Sequence, residues 1–402
     1  MEISRPITTR TLRLTSFLGL QSSTAGVLVM VVLVGMGERM AERFLPIYML
    51  ALGGGVLAIG LLQAMDNLLS ALYSFPGGYL SDRIGTRKSL LIFNLVAIAG
   101  FALVILVPNW QAVLIGAVLF ISWSAISLPA TMSLIYKVLP LNKRTMGVTM
   151  HSLVKRIPMA LGPLLGGLFI GIWGEQDGVR LAFGAALIMA VAALFLQQWM
   201  IEDDVPDKAA SDACTLTPEK NPLKLLRQMN PAMKGLLVTD TLVRFCEQIP
   251  YAFVVVWCMK TITEPVSAVQ FGLLTTIEMT TAVLVYIPVA YLADRGTKKP
   301  FVLMTFVFFT LFPLVLLYSH SFEWLVLAFV LRGLKEFGEP TRKALIMDLS
   351  PDHCKAGMFG LYYLIRDVFV SLAAFGGAFL WQISPQTNLV TAFVCGIIGT
   401  AG

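Results

Sequence analysis

Apolar residues run in long unbroken stretches from one end of the chain to the other, and polar residues gather in the gaps between them. Stretches near 24–50, 57–79, 89–107, 112–139, 145–172, 180–200, 232–260, 267–291, 300–318, 324–349 and 356–382 are each long enough to cross a bilayer as a helix, which takes about 20 apolar residues. A twelfth begins at Asn388 and has 15 residues before Gly402, so the last span is expected to be short or truncated. The runs lack the polar–apolar alternation of barrel strands. A helix also satisfies its own backbone hydrogen bonds where no water is present. The pattern therefore predicts an all-α integral membrane protein with twelve transmembrane helices.

Composition and charge sharpen this picture. The chain is 57% hydrophobic and 13% charged, against about 25% charged in a soluble domain. Its net charge of +6 sits in the connections. With the N-terminus in the cytoplasm, the inside connections hold seventeen Lys and Arg, and the outside ones hold Arg180 and Lys260. That is the positive-inside pattern, so the charge reflects topology and gives no reason to invoke nucleic acid. The basic N-terminus running straight into a full span reads as an uncleaved start-transfer helix, and the protein as a multi-pass cell (inner) membrane protein. The five Cys, at 214, 246, 258, 354 and 395, show no paired spacing for disulfides or metal. With no nucleotide loop and no metal cluster, neither an enzyme nor an ATP-driven pump is expected, and no cofactor.

The longest polar interruption, IEDDVPDKAASDACTLTPEKNPLKLLRQMNPAMK, separates six spans from six. It predicts an N-terminal bundle over 1–200, a cytoplasmic linker over 201–231 and a C-terminal bundle over 232–402. The two halves echo each other. Span 2 ends in GGYLSDRIGTRK and span 8 in VAYLADRGTKK; span 4 carries LPATMSLIYKVLP and span 10 EPTRKALIMDLSP. Arg156 precedes Gly166-Gly167 as Arg366 precedes Gly376-Gly377, and spans 1 and 7 share R-x-x-E as Arg39/Glu42 and Arg244/Glu247. Four correspondences in the same order indicate a duplicated six-helix unit, an arrangement that places substrate near the midplane between halves.

On these residues the chain resembles the major facilitator superfamily over its whole length. The loop after span 2, Gly78-x-Leu80-x-Asp82-Arg83-x-Gly85-x-Arg87-Lys88, is similar to the family's cytoplasmic signature, with Thr86 where a basic residue is common. A second copy keeps Leu292, Asp294 and Arg295, with Gly296 one residue early. The resemblance implies two pseudo-symmetric six-helix bundles that rock in alternating access, with Asp82 and its basic neighbours acting in gating. Gly162-Pro163-Leu164-Leu165-Gly166-Gly167 in span 5 resembles the core of a motif of the family's drug-exporting antiporters, with Thr149 and Pro158 where glycines are expected. Physically it is a helix-packing face of small residues, bent at Pro163. Span 4, FISWSAISLPA, lacks the Arg of many proton-coupled members, and the nearest analogue is Arg332-Gly333 in span 10.

Charges inside the spans carry the candidate chemistry. Glu38, Arg39, Glu42 and Arg43 fall on one side of span 1 by helical period. Span 7 has Asp240, Arg244 and Glu247. Span 10 has Arg332, Lys335, Glu336, Glu339 and Lys343. Span 11 has Arg366 and Asp367, span 5 His151, Lys155 and Arg156, span 2 Asp66 and span 8 Glu278. Each would cost at least ~2.5–3.5 kcal/mol facing lipid at the bilayer centre, so they are expected to face one another or water. In the family fold, spans 1, 4, 7, 10 and 2, 5, 8, 11 line the cavity. Spans 3, 6 and 9 carry no Asp, Glu, Lys or Arg in their apolar stretches. The Glu38–Arg43 cluster and Arg244/Glu247 are candidate gate latches or substrate contacts. Asp66 and Glu278 are candidate proton sites, His151 a coupling residue, and Arg156 and Arg366 anion binders. Lys137, Arg342, Lys343 and Asp348, near the cytoplasmic ends, are expected to snorkel.

The expected function is a monomeric secondary active transporter of a small charged or zwitterionic organic solute. It would work by alternating access in membrane lipid, with proton-coupled export by antiport. Uptake by proton symport and a lysolipid or amphiphile flippase are the alternatives, and a non-transporting sensor of the same fold is the reading from a different class.

Overall fold

The computed structural model describes residues 22–84, 86–120, 144–200, 226–227, 229–295, 299–350 and 355–402. Among these residues the ordered elements are helical and there is no strand. Gly85 and the linker residues 201–225 lie outside the described residues, as do the side chains of Gly78, Asp82, Arg83, His151, Asp294 and Arg295.

Span 1 is two helices, α1 (Ser22–Glu42) and α2 (Leu45–Ala51), broken at Arg43 and Phe44. α3 (Val56–Ile84) is span 2, α4 (Thr86–Leu106) is span 3, and α5 (Trp110–Phe120) begins span 4. α6 (Arg144–Met200) covers spans 5 and 6. The chain reverses inside it at Gly174, whose φ of 83° and ψ of 176° belong to a region open essentially to Gly alone. α7 (Pro231–Tyr251), α8 (Val254–Val256) and a π-turn (Trp257–Thr261) make span 7, bent by 44°. α9 (Ala268–Arg295) and α10 (Lys299–Leu317) are spans 8 and 9. Span 10 is α11 (Phe322–Leu334), a tight 3-10 turn (Lys335–Gly338) and α12 (Glu339–Leu349). α13 (Lys355–Ile383) is span 11 and α14 (Pro385–Ala401) span 12.

Local chemistry sets several of these boundaries. Asn230 caps α7, its Oδ1 accepting from the Ala232 amide at 3.1 Å, with Pro231 at the first helical position. Span 12 starts at Pro385, before the expected Asn388, because Ser384 caps it by accepting from the Thr387 amide at 3.0 Å. Asn388 is instead a fully buried clasp, donating from Nδ2 to the carbonyls of Ile249 at 3.2 Å and Gly377 at 2.7 Å. The antiparallel pair formed by α4 and the second arm of α6 is capped reciprocally. Arg87, at the start of α4, donates to the Gln198 carbonyl at 2.6 Å. Arg180, at the start of the arm, donates to the Ile105 carbonyl at 2.9 Å. Each guanidinium satisfies a carbonyl of the last turn that the helix leaves without a partner.

Small residues decide where the long helices touch. A Cβ on Gly166 would overlap the Met40 carbonyl of α1, and one on Gly167 the Ala268 carbonyl of α9. On α13, a Cβ at Gly377 would overlap the Ile249 carbonyl of α7. α6 thus lies against α1 and α9, and α13 against α7 and α3. The packing pairs span 5 with span 8 and span 2 with span 11, around the axis on which the charged faces meet.

Candidate functional site

A cavity lies between spans 1 and 2 on one side and spans 7, 8 and 10 on the other. Its polar lining is Glu38, Glu42, Arg43, Gln63 and Asp66, facing Tyr251 and Arg332. Leu45, Pro46, Ile59, Leu62, Val254, Val255 and Phe271 give it an apolar wall. The break in span 1 makes this possible. α1 ends at Glu42, Pro46 sits in the first turn of α2, and the residues on both sides of the break line one space.

Tyr251 is the centre of the arrangement. The Arg43 guanidinium lies 5.1 Å from its ring centroid and the Arg332 guanidinium 5.3 Å, both within cation–π range. Arg332 is buried, with its Nε 3.3 Å from Glu278 Oε1. Arg39 is paired with Glu42 at 2.7 Å. Gln248 Oε1 of span 7 accepts from Gln63 Nε2 at 3.2 Å and Asn67 Nδ2 at 3.1 Å of span 2, an uncharged bridge across the cavity edge.

The remaining charges of spans 7, 8, 10 and 11 form a buried lattice. Asp240 meets Arg342, the Tyr362 hydroxyl at 3.1 Å and Arg366 at 3.6 Å. Glu339 meets Arg342 at 2.5 Å, Arg244 at 3.4 Å and Lys343 at 3.3 Å. Glu247 holds Arg244 at 2.6 Å and also Lys335, which lies 3.9 Å from Glu278. Arg366 pairs with Asp367 at 2.6 Å and stacks over Tyr363 at 4.2 Å. A buried ion costs several kcal/mol unless its partners are in place, and here Asp240, Glu247, Glu278 and Glu339 are each shared between cations. The expectation that Arg342 snorkels is corrected. It is 1% exposed and committed to Asp240 and Glu339, whereas Lys343 is 52% exposed.

The expected site residues therefore separate. Glu38, Glu42, Arg43, Asp66 and Arg332 line the cavity, with Arg39 behind Glu42. Arg244, Glu247, Glu278, Arg366 and Asp367 belong to the lattice. Arg156 and Arg366, equivalent in the sequence repeat, have different environments. Arg156 reaches across to Glu336 of span 10 at 3.3 Å, whereas Arg366 stays among its own half's residues. Glu175, just past the Gly174 reversal, pairs with Lys260 at the end of the span 7 π-turn. Gly162, Gly166 and Gly167 lie where α6 meets α1 and α9, and the Pro163 carbonyl faces Gly272. Tyr251, Gln63, Asn67 and Gln248 escaped a reading built on charge. The signal that could have found them is a set of amides and one phenol on the faces that also bear Asp66 and Glu247. Among the described residues, no cluster of His, Cys, Asp and Glu could hold a metal ion.

Helices long and apolar enough to span a bilayer, gathered around a cavity that sets charged side chains against an apolar wall, define a multi-pass membrane transporter. The Major Facilitator Superfamily model matches residues 27–261 and 236–401, and the chain belongs to that family of non-enzymatic transporters. It is 22% identical over 372 residues to the uncharacterized MFS-type transporter MJ1317 of Methanocaldococcus jannaschii, covering 90% of this chain and 89% of that protein. It is 28% identical over 138 residues to the uncharacterized MFS-type transporter YfkF of Bacillus subtilis, covering 34% and 35%. The fold is similar to the peptide transporter POT in complex with sulfate, with a TM-score of 0.74, 16% identity, and 94% of each chain covered. It is also similar to the human organic anion transporter MFSD10, with a TM-score of 0.64, 16% identity, and 94% and 98% covered.

Proposed function

We propose that the protein is a secondary active transporter that exports a small charged or zwitterionic organic solute in exchange for protons. In this reading the bodies 1–200 and 232–402 rock about the linker 201–231 in the inner membrane, with the N-terminus cytoplasmic. The observation that carries it is the central cavity, to which both halves contribute ionisable side chains, Glu38, Glu42, Arg43 and Asp66 from one and Arg332 from the other. Charges placed there are costly unless they meet a solute, a proton or one another. Organic solutes named for structures of similar fold, peptides and organic anions, suit such a lining. Asp66 and Glu278 are the carboxylates proposed to take up protons. Asp66 lines the cavity, and Glu278 sits behind it in contact with Arg332.

The test is transport in proteoliposomes of one orientation, with a pH gradient imposed and a metabolite panel supplied on either side. Exchange predicts that solute leaves as protons enter, and that collapsing the gradient stops net movement. Solute and protons moving in the same direction would replace export with symport. Solute flux indifferent to the gradient in both orientations would overturn proton coupling.

A further inference from the structure

Most ions within the spans are already neutralised by protein partners. Arg39 has Glu42, Arg332 has Glu278, Arg156 has Glu336, and Arg244, Lys335, Arg342 and Arg366 share the carboxylates of the lattice. Two residues of the cavity wall do not follow this pattern. Arg43 has no carboxylate within ion-pairing distance among the described residues; its close contact is the Tyr251 ring. Asp66 has no cation within ion-pairing distance and no hydrogen-bond donor among the described residues; Arg39 and Arg43 act on it only from farther off, and both flanking amides, Gln63 and Asn67, are engaged with Gln248. Both are only partly exposed, so water compensates each incompletely. They carry opposite charge, and they arise from neighbouring spans of the N-terminal half.

We infer that Arg43 and Asp66 are the two poles of a receptor for a compact zwitterion with an apolar body. Arg43 holds the anionic group and Asp66 the ammonium, while the Leu45, Pro46, Ile59, Val254 and Phe271 wall takes the apolar part. This rests on the transporter reading and narrows it to a substrate class. A guanidinium without a carboxylate presents its planar donor fork to an incoming carboxylate, and Tyr251 holds it in place without consuming its hydrogen-bonding capacity. An ammonium on Asp66 excludes a proton from the same carboxylate, which is consistent with exchange of one for the other. The lattice of the C-terminal half is pre-neutralised, so it fixes the wall opposite these poles and does not compete for the ligand.

The test is ligand-induced thermal stabilisation of the purified full chain. The probes are leucine and phenylalanine, the anionic N-acetylleucine and the cationic leucinamide. Wild type should be stabilised by the zwitterions at concentrations at least about tenfold below those needed for either single-charge analogue, the scale of one charged hydrogen bond. Arg43→Gln should remove the advantage of leucine over leucinamide, and Asp66→Asn its advantage over N-acetylleucine. Arg43→Lys and Asp66→Glu should restore part of each, and unliganded stability near wild type shows that the variants fold. Equal binding of zwitterions and single-charge probes overturns the inference, as does no binding of any zwitterion or leucine binding unchanged in both variants. The two readings separate in counterflow. Zwitterion binding that needs both groups without counterflow sinks the transport reading alone. Counterflow of a singly charged solute, unaffected by either substitution, sinks the zwitterion receptor alone.

Discussion

Asp240 sits without solvent exposure between Arg342, Arg366 and the Tyr362 hydroxyl. Removing its charge leaves two buried guanidiniums short of an anion, a situation that costs about 3–5 kcal/mol when one partner of a buried pair is lost. Asp240→Asn is therefore expected to lower the unfolding midpoint of the detergent-solubilised protein steeply. Lys343→Ala, at an exposed pair, should cost at most about 1 kcal/mol. Equal losses would show that the lattice is not a stabilising unit. At this scale the sequence was informative about which residues are costly in lipid, since charge stands out against apolar helices. It was silent on how they share partners. Helical period put Glu38 and Arg39 on one face, yet Glu38 lines the cavity whereas Arg39 turns to Glu42. Gln248 was illegible because a neutral amide in an apolar helix carries no signal of its own, and its partners lie 181 and 185 residues away.

Among the elements, the paired glycines of the repeat make a sharper test than either would alone. Gly376 has nothing within 4 Å of the position a Cβ would occupy, whereas its neighbour Gly377 faces the Ile249 backbone. Gly377→Ala forces α13 away from α7 and should destabilise by about 1–3 kcal/mol, as overpacking does. Gly376→Ala should be neutral or stabilising by up to about 1 kcal/mol, through helix propensity. Thermal unfolding of the two variants side by side checks this, and matched effects would contradict the packing. The spans themselves were legible because lipid demands length and apolarity in one continuous stretch. Their interruptions were not. The break at Arg43 and Phe44, the π-turn at Trp257–Thr261 and the 3-10 turn at Lys335–Gly338 lie in apolar runs where the only local marks are Pro46 after the first and Gly338 and Pro340 at the last. Proline and glycine are tolerated inside membrane helices, so such marks alone do not say where the helix departs from regularity, and two of the three places adjoin the cavity or the lattice.

At the level of the whole molecule, the proposed alternating access opens the cavity to one side at a time, and one cross-half contact stands at a defined end. Lys260, closing span 7, pairs with Glu175, which follows the Gly174 reversal of α6. These two residues come from opposite halves of the repeat. The pair is partly exposed, with side-chain exposures of 47% and 32%, so its worth is small, about 0–1 kcal/mol. A contribution of that size is still enough to shift a balanced two-state equilibrium several-fold. Lys260→Glu sets two carboxylates against each other and should favour the state open at that end. A membrane-impermeant thiol reagent applied from that side would then label Val254→Cys, on the cavity wall, faster than in the parent and above the background of the native cysteines. Glu175→Lys in the same chain restores an ion pair of reversed polarity and should return the labelling rate to the parental value. Only an interaction between the two side chains predicts that recovery. A loss of structure caused by either substitution would accumulate in the double variant, and a pair without influence on access would leave all three rates alike.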